Sequence, residues 1–113
     1  KANPQSYEIL TALGKIYAEQ LHDPARAGNV WQLAVRRWDE VEAGKEKPDN
    51  VGRHAILLRL AVLEEAQGRI PEAVRRYEEA KQVSPHPEAL DERIRQALLK
   101  FGQSTNDFPG LLH

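Results

Sequence analysis

The chain has 113 residues, 41% of them hydrophobic and 29% charged, which is enough for one domain with a modest core and too short for two. A formal net charge of -1 supplies no global field that would recruit nucleic acid, an anionic membrane or an acidic ligand. With no cysteine there can be no disulfide, thiolate metal site or thiol nucleophile, and the compartment stays open, the cytoplasm first and an exported domain of a larger protein second.

Tyr7, Leu10, Leu13, Gly14 and Tyr17 recur at helical spacing, with Ile9 and Ile16 beside them, and predict a first helix over residues 4–21. The chain also lacks methionine, so Lys1 reads as an internal or processed start of something longer. Gly14 sits inside this helix, where glycine costs ~1 kcal/mol relative to alanine, so it needs a packing reason, such as close approach of a neighbouring helix. Asp23-Pro24 is a strong helix start, an N-cap acid followed by a proline whose missing N–H is harmless in the first turn. Ala27, Val30, Trp31, Ala34, Val35, Trp38 and Val41 mark the buried stripe of this second helix, and Gly44 is its natural stop.

After a charged, proline-ended loop, Asp49 or Asn50 caps a third helix over residues 51–67. Ile56, Leu57, Leu60, Ala61 and Leu63 make one apolar face of it, and Ala55, Leu58 and Val62 a second. A helix apolar nearly all round is buried on two sides or waits to be covered. Gly68-Arg69-Ile70-Pro71 is a tight turn into a fourth helix, which carries Ala73, Val74, Tyr77, Ala80 and Val83. Ser84-Pro85-His86-Pro87 breaks the chain, because each proline biases its predecessor away from the helical region. A fifth helix follows over residues 88–101, with Leu90, Ile94, Ala97, Leu98 and Phe101 on one face and Gly102 at its end. Residues 103–113 have no period and read as irregular, or as a short strap across the last helix. No stretch approaches the ~18 apolar residues of a membrane span.

The chain echoes itself. Leu10 to Gly14 is matched by Leu57 to Ala61, and Ala27, Trp31 and Ala34 by Ala73, Tyr77 and Ala80 with the same internal spacing. A small residue lets a partner backbone approach, an aromatic one turn later fills the space beside it, and a second small residue seats the next helix pair. These residues resemble the tetratricopeptide repeat family: Leu60-Ala61, Gly68, Ala73, Tyr77, Ala80 and Pro85 follow its helix-turn-helix pattern. Leu13-Gly14, Tyr17, Ala27, Trp31 and Ala34 follow it a second time. The resemblance covers residues 7–101 and implies an all-α fold, an α-solenoid of antiparallel helix pairs in a right-handed superhelix. The domain would run over residues 1–102, with pairs at 5–44 and 50–84, a capping helix at 88–101 and a tail at 103–113. Three features depart from the pattern. Glu64 stands in place of an aromatic. The turn at Leu21-His22-Asp23-Pro24 is one residue longer than the Gly68 turn. The offset from Ala27 to Ala73 is 46 residues, against about 34 in the family. Other α-solenoids with longer repeats form the alternative.

Candidate chemistry is sparse. His22, His54, His86 and His113 show no metal-ligand spacing and read as exposed. The acids at Asp39-Glu40-Val41-Glu42, Glu64-Glu65 and Glu78-Glu79 read as solvated faces. Arg36-Arg37 and Arg75-Arg76 lie near acids and make no phosphate-binding stripe. Neither a nucleophile motif nor a glycine-rich phosphate loop is present, and the aromatic residues fall on core stripes. The expectation is therefore no catalytic residue, no metal, no cofactor and no enzyme.

What remains is surface. In the family this chain resembles, the first helix of each pair lines a concave groove that holds peptides. The groove positions here are Thr11, Lys15 and Glu19, then Leu58, Val62 and Glu65, with Glu92 and Gln96 as further candidates. Some relatives clamp a C-terminal carboxylate with Lys or Arg and Asn; Lys15 and Arg59 are present without an asparagine beside them, so that mode is not expected. Leu58 and Val62 imply an apolar contact instead, with a partner or with the chain's own tail through Phe108 or Leu111-Leu112. The resemblance thus implies a protein–protein interaction module that binds a partner peptide or helix or self-associates as a homo-dimer, with no nucleic-acid or membrane partner. The alternative is a structural spacer in a longer repeat protein with no ligand of its own.

Overall fold

Ser6, Asp23 and Asp49 each start a helix by accepting a backbone N–H three residues on, from Ile9 (3.1 Å), Arg26 (3.1 Å) and Gly52 (2.9 Å). The computed structural model describes residues 6–104. They form α1 (Tyr7–Glu19), α2 (Pro24–Glu42), α3 (Asn50–Ala66), α4 (Ile70–Lys81) and α5 (Pro87–Ser104), with no strand among the described residues. The fold is all-α. Several boundaries differ from expectation, among them the end of α1 at Glu19 rather than at residue 21. Val83 lies beyond α4, and Gly102 does not end α5, which continues to Ser104. Residues 105–113, including Phe108, Leu111, Leu112 and His113, lie outside the described residues.

Each helix packs on its neighbours in sequence, α1 on α2, α2 on α3, α3 on α4 and α4 on α5. The result is a slab of 56 × 34 × 19 Å. Its radius of gyration is 15.8 Å, above the ~13 Å of a globular chain this long.

Two buried clusters lie on either side of α3. Tyr7, Leu10, Ala27, Trp31, Ala34, Trp38, Ile56 and Leu60 form the first, and Leu57, Ala61, Ala73, Tyr77, Ala80, Leu90 and Ile94 the second. Ile56 and Leu60 face one cluster and Leu57 and Ala61 the other, so the residues read as one apolar face are divided between two clusters. Each of these large side chains contributes ~1.5–3 kcal/mol by leaving water. The small residues of the echo are all inside: Gly14 is buried, and Ala27, Ala34, Ala61, Ala73 and Ala80 are 0% exposed. Gly14 has its packing reason in Trp31 of α2, since a β-carbon on Gly14 would lie 2.2 Å from the indole Nε1. That Nε1 donates to the Thr11 carbonyl at 3.0 Å, so the ring is fixed at its polar edge as well.

The two turns correspond. Gly68 has φ +80°, and His22 has φ +52° at the equivalent place, the left-handed region that favours glycine. The chain is closed across each turn by a backbone bond, Asp23 N–H to Tyr17 O and Arg69 N–H to Glu64 O, both 2.8 Å. The first turn spans one residue more, as its sequence predicts.

Two acids read as solvated are buried. Glu42 is 7% exposed and Glu64 3%. The Glu64 carboxylate meets Arg76 of α4 at 3.4 Å, so this position, held by Tyr17 in the first pair, is filled by an ion pair instead of a ring. Glu42 belongs to a polar joint between α1, α2 and α3. The Tyr7 hydroxyl lies 3.0 Å from Glu42 Oε2 and 2.9 Å from Asp49 Oδ2, so its one proton is offered to two carboxylates. Glu42 also accepts from Asp49 N–H and Lys45 Nζ, each at 3.0 Å. Trp38 Nε1 donates to the Asp49 carbonyl at 2.7 Å. Burial, then the bonds to Asp49 and Glu42, raise the Tyr7 phenol above its ordinary value, while chiefly Lys45 lowers the Glu42 carboxyl.

Candidate partner-binding face

With two sides of α3 committed to the core, Val62 is left on a third, one helical turn from Leu58, which packs against the edge of the second cluster. Leu58 is half-buried and Val62 is 48% exposed. They form a ridge between two cavities. The first, about 360 Å³, lies towards α1 and is lined by Ala18, Glu19, Trp31, Arg59 and Leu63 beside the ridge. The second, about 340 Å³, lies towards α5 and is lined by His54, Pro85, His86, Leu90 and Arg93. A smaller hollow of about 230 Å³ continues past Val62 to Glu65, Ala66, Arg93 and Lys100. Residues of α1, α3 and α5 therefore share this surface. Trp31 ties it to the core, because the ring that Gly14 admits also walls the first cavity.

Glu19, Leu58 and Val62 border these cavities, and Glu65 the smaller hollow. Thr11 is turned to its own helix, its hydroxyl donating to the Tyr7 carbonyl at 2.6 Å. Lys15 is exposed and lines none of the three. Glu65 is not free for a partner. Its carboxylate accepts from the Tyr77 hydroxyl at 2.9 Å and from Lys100 Nζ at 3.2 Å, with Arg93 3.9 Å away. Arg93 in turn donates to the Tyr77 hydroxyl at 2.7 Å and lies over its ring, 5.3 Å from the centroid. Burial raises the Tyr77 phenol above its ordinary value, assisted by Glu65 and opposed by Arg93. Glu92 is held by Arg95 and Gln96 on the exposed side of α5, and chiefly Arg95 lowers its carboxyl. Arg59, named from the sequence only with Lys15 for a clamp that was not expected, is half-buried at the rim of the first cavity and has no hydrogen bond or ion pair among the described residues.

His22 and His86 are exposed, and His54 is half-buried with its Nε2 enclosed and unpaired. No group of three metal-ligating side chains occurs among the described residues. No helix among them is long and apolar enough to cross a membrane. No family model matches the chain, and no curated protein or solved structure matches it significantly.

Proposed function

We propose that the chain is a protein–protein interaction module, a tetratricopeptide-like solenoid of two helix pairs followed by α5, which binds a partner peptide or helix along α1, α3 and α5. The observation that carries this reading is the Leu58–Val62 ridge, apolar and accessible, with a cavity on either side. Binding of this kind uses apolar anchors placed in preformed pockets and needs no catalytic group. We read the chain as non-enzymatic on the same grounds. Display of random 16-residue peptides against the immobilised chain, counter-selected on Val62→Asp, tests it. Peptides kept by the parent chain and lost on the variant support the reading; a selection that yields none overturns it.

A second reading, the spacer in a longer array, draws on the two ends of the slab. Ile9 and Ile16 are 55% and 42% exposed on α1, and Leu98 and Leu99 are 49% and 54% exposed on α5. Helices apolar at both ends of a stack suit further repeats or a second copy there. The solution mass separates these options, because a dimer unaffected by Val62→Asp places self-association at the ends.

A further inference from the structure

Resting on the reading of the Leu58–Val62 face as a binding surface, we propose that its occupant is an acidic amphipathic segment. It sets one apolar side chain in each cavity and a carboxylate on Arg59. The ridge residues are one turn apart, so an occupant crossing them reaches both cavities with apolar residues three or four apart, as on one face of a helix.

The charge around the face selects the sign. The cavities and hollow that share Val62 are bordered by Arg59, Arg93 and Lys100 as cations and by Glu19 and Glu65 as anions. Glu65 is consumed inside the protein by Tyr77, Lys100 and Arg93. Glu19, at the rim, makes no ion pair with Arg59. Arg59 is thus a half-buried residue with no hydrogen-bond or ion-pair partner among the described residues, beside Leu58 and Val62 at the first cavity. A guanidinium without a partner at the rim of an apolar cavity gains most from a carboxylate, which it can hold in two parallel hydrogen bonds. A basic or neutral segment would bury it without a partner.

The peptides selected on the parent chain provide the test, with affinities read by fluorescence anisotropy on Arg59→Gln and Arg59→Glu. Circular dichroism and the urea midpoint certify that each variant is folded. Enriched peptides carry two apolar residues three or four apart and at least one Asp or Glu nearby. Arg59→Gln weakens them ~10-fold or more, and changing the peptide acid to Lys restores binding to Arg59→Glu. Enriched peptides without an acid, or an Arg59→Gln effect within twofold, overturn the acidic assignment and leave the binding face standing. A selection with no peptide dependent on Val62 overturns both. A mass that doubles through Val62 names a second copy as the occupant, and binding that appears only after removal of residues 105–113 names the chain's own end. Either result also overturns the proposal.

Discussion

Trp31 occupies the space that a side chain on Gly14 would need, its indole Nε1 falling 2.2 Å from where that β-carbon would stand. The second pair makes the same junction with different sizes. Ala61 stands where Gly14 does and Tyr77 where Trp31 does, both 0% exposed and in one cluster. The larger ring goes with the smaller seat. In both pairs the polar edge of the ring is satisfied on the first helix, Trp31 at the Thr11 carbonyl and Tyr77 at the Glu65 carboxylate. We therefore expect ring size and seat size to be coupled in this fold. Through Trp31 the coupling also sets one wall of the candidate binding face.

The corresponding turns give a pair of opposite expectations. His22 is exposed with φ +52°, and its side chain makes no hydrogen bond or ion pair among the described residues that would be lost on removal. His22→Gly relieves the left-handed strain, offset in part by added freedom of the unfolded chain, for a net stabilisation of ~0.5–1 kcal/mol. Gly68→Ala meets no atom within 4 Å, so its destabilisation of ~1 kcal/mol comes from the backbone alone. Urea midpoints moving in opposite directions check both.

Tyr7→Phe removes the hydroxyl shared by Glu42 and Asp49 and leaves two carboxylates near each other without it. A loss of ~1–2 kcal/mol follows from the missing hydrogen bonds. It should appear in urea unfolding with the helical circular dichroism signal of the folded state unchanged.

The same joint makes stability depend on pH at both extremes. The Glu42 carboxyl is lowered below 4.5 in the folded chain, chiefly by Lys45, so the unfolded chain binds more protons there. Its contribution is present above the ordinary value and fades as pH falls through the folded one. The Tyr7 phenol is raised above 10.0, chiefly by burial, so its contribution is full below that value and fades as pH climbs towards the folded one. Tyr77 acts in the same alkaline direction. Urea midpoints measured from pH 3 to 11 should fall at both ends, with a shallower acid limb in Glu42→Gln and a shallower alkaline limb in Tyr7→Phe.

The helices and the seats were legible because spacing records them. The small residues at Gly14, Ala27, Ala34, Ala61, Ala73 and Ala80 announce close contact wherever the partner lies. The turn at His22 was legible from Asp23-Pro24, but its positive φ was not, because histidine is not the residue that announces one. Glu42 and Glu64 were read as solvated because carboxylates usually are, and part of what allows their burial comes from other helices. Tyr7 lies 35 residues from Glu42, and Arg76 lies 12 from Glu64. On the candidate face, Leu58 and Val62 could be read from the second apolar side of α3. The engagement of Glu65 depends on where α5 docks and the setting of Arg59 on where α1 lies, and no local pattern encodes either.

Docking of α5 is the next expectation. Arg93 and Lys100 reach Glu65 and the Tyr77 hydroxyl, and Lys81 pairs with Asp91. Glu65→Gln removes the charge at the centre of the first set and should destabilise the chain by ~1–2 kcal/mol. Amide hydrogen exchange should quicken in α5 more than in α1 and α2; uniform quickening would mean that Glu65 supports the whole fold rather than this joint.

The coupling of ring and seat is tested most directly by a double-mutant cycle of Gly14→Ala and Trp31→Tyr in urea. Gly14→Ala gains ~1 kcal/mol in helix propensity but overpacks the indole, for a net loss of ~2 kcal/mol. Trp31→Tyr loses ring volume and the bond to Thr11, also ~2 kcal/mol. The double variant, which reproduces the Ala61–Tyr77 combination, should be more stable than the sum of the two by at least ~1 kcal/mol. Additivity within ~0.3 kcal/mol would contradict the account.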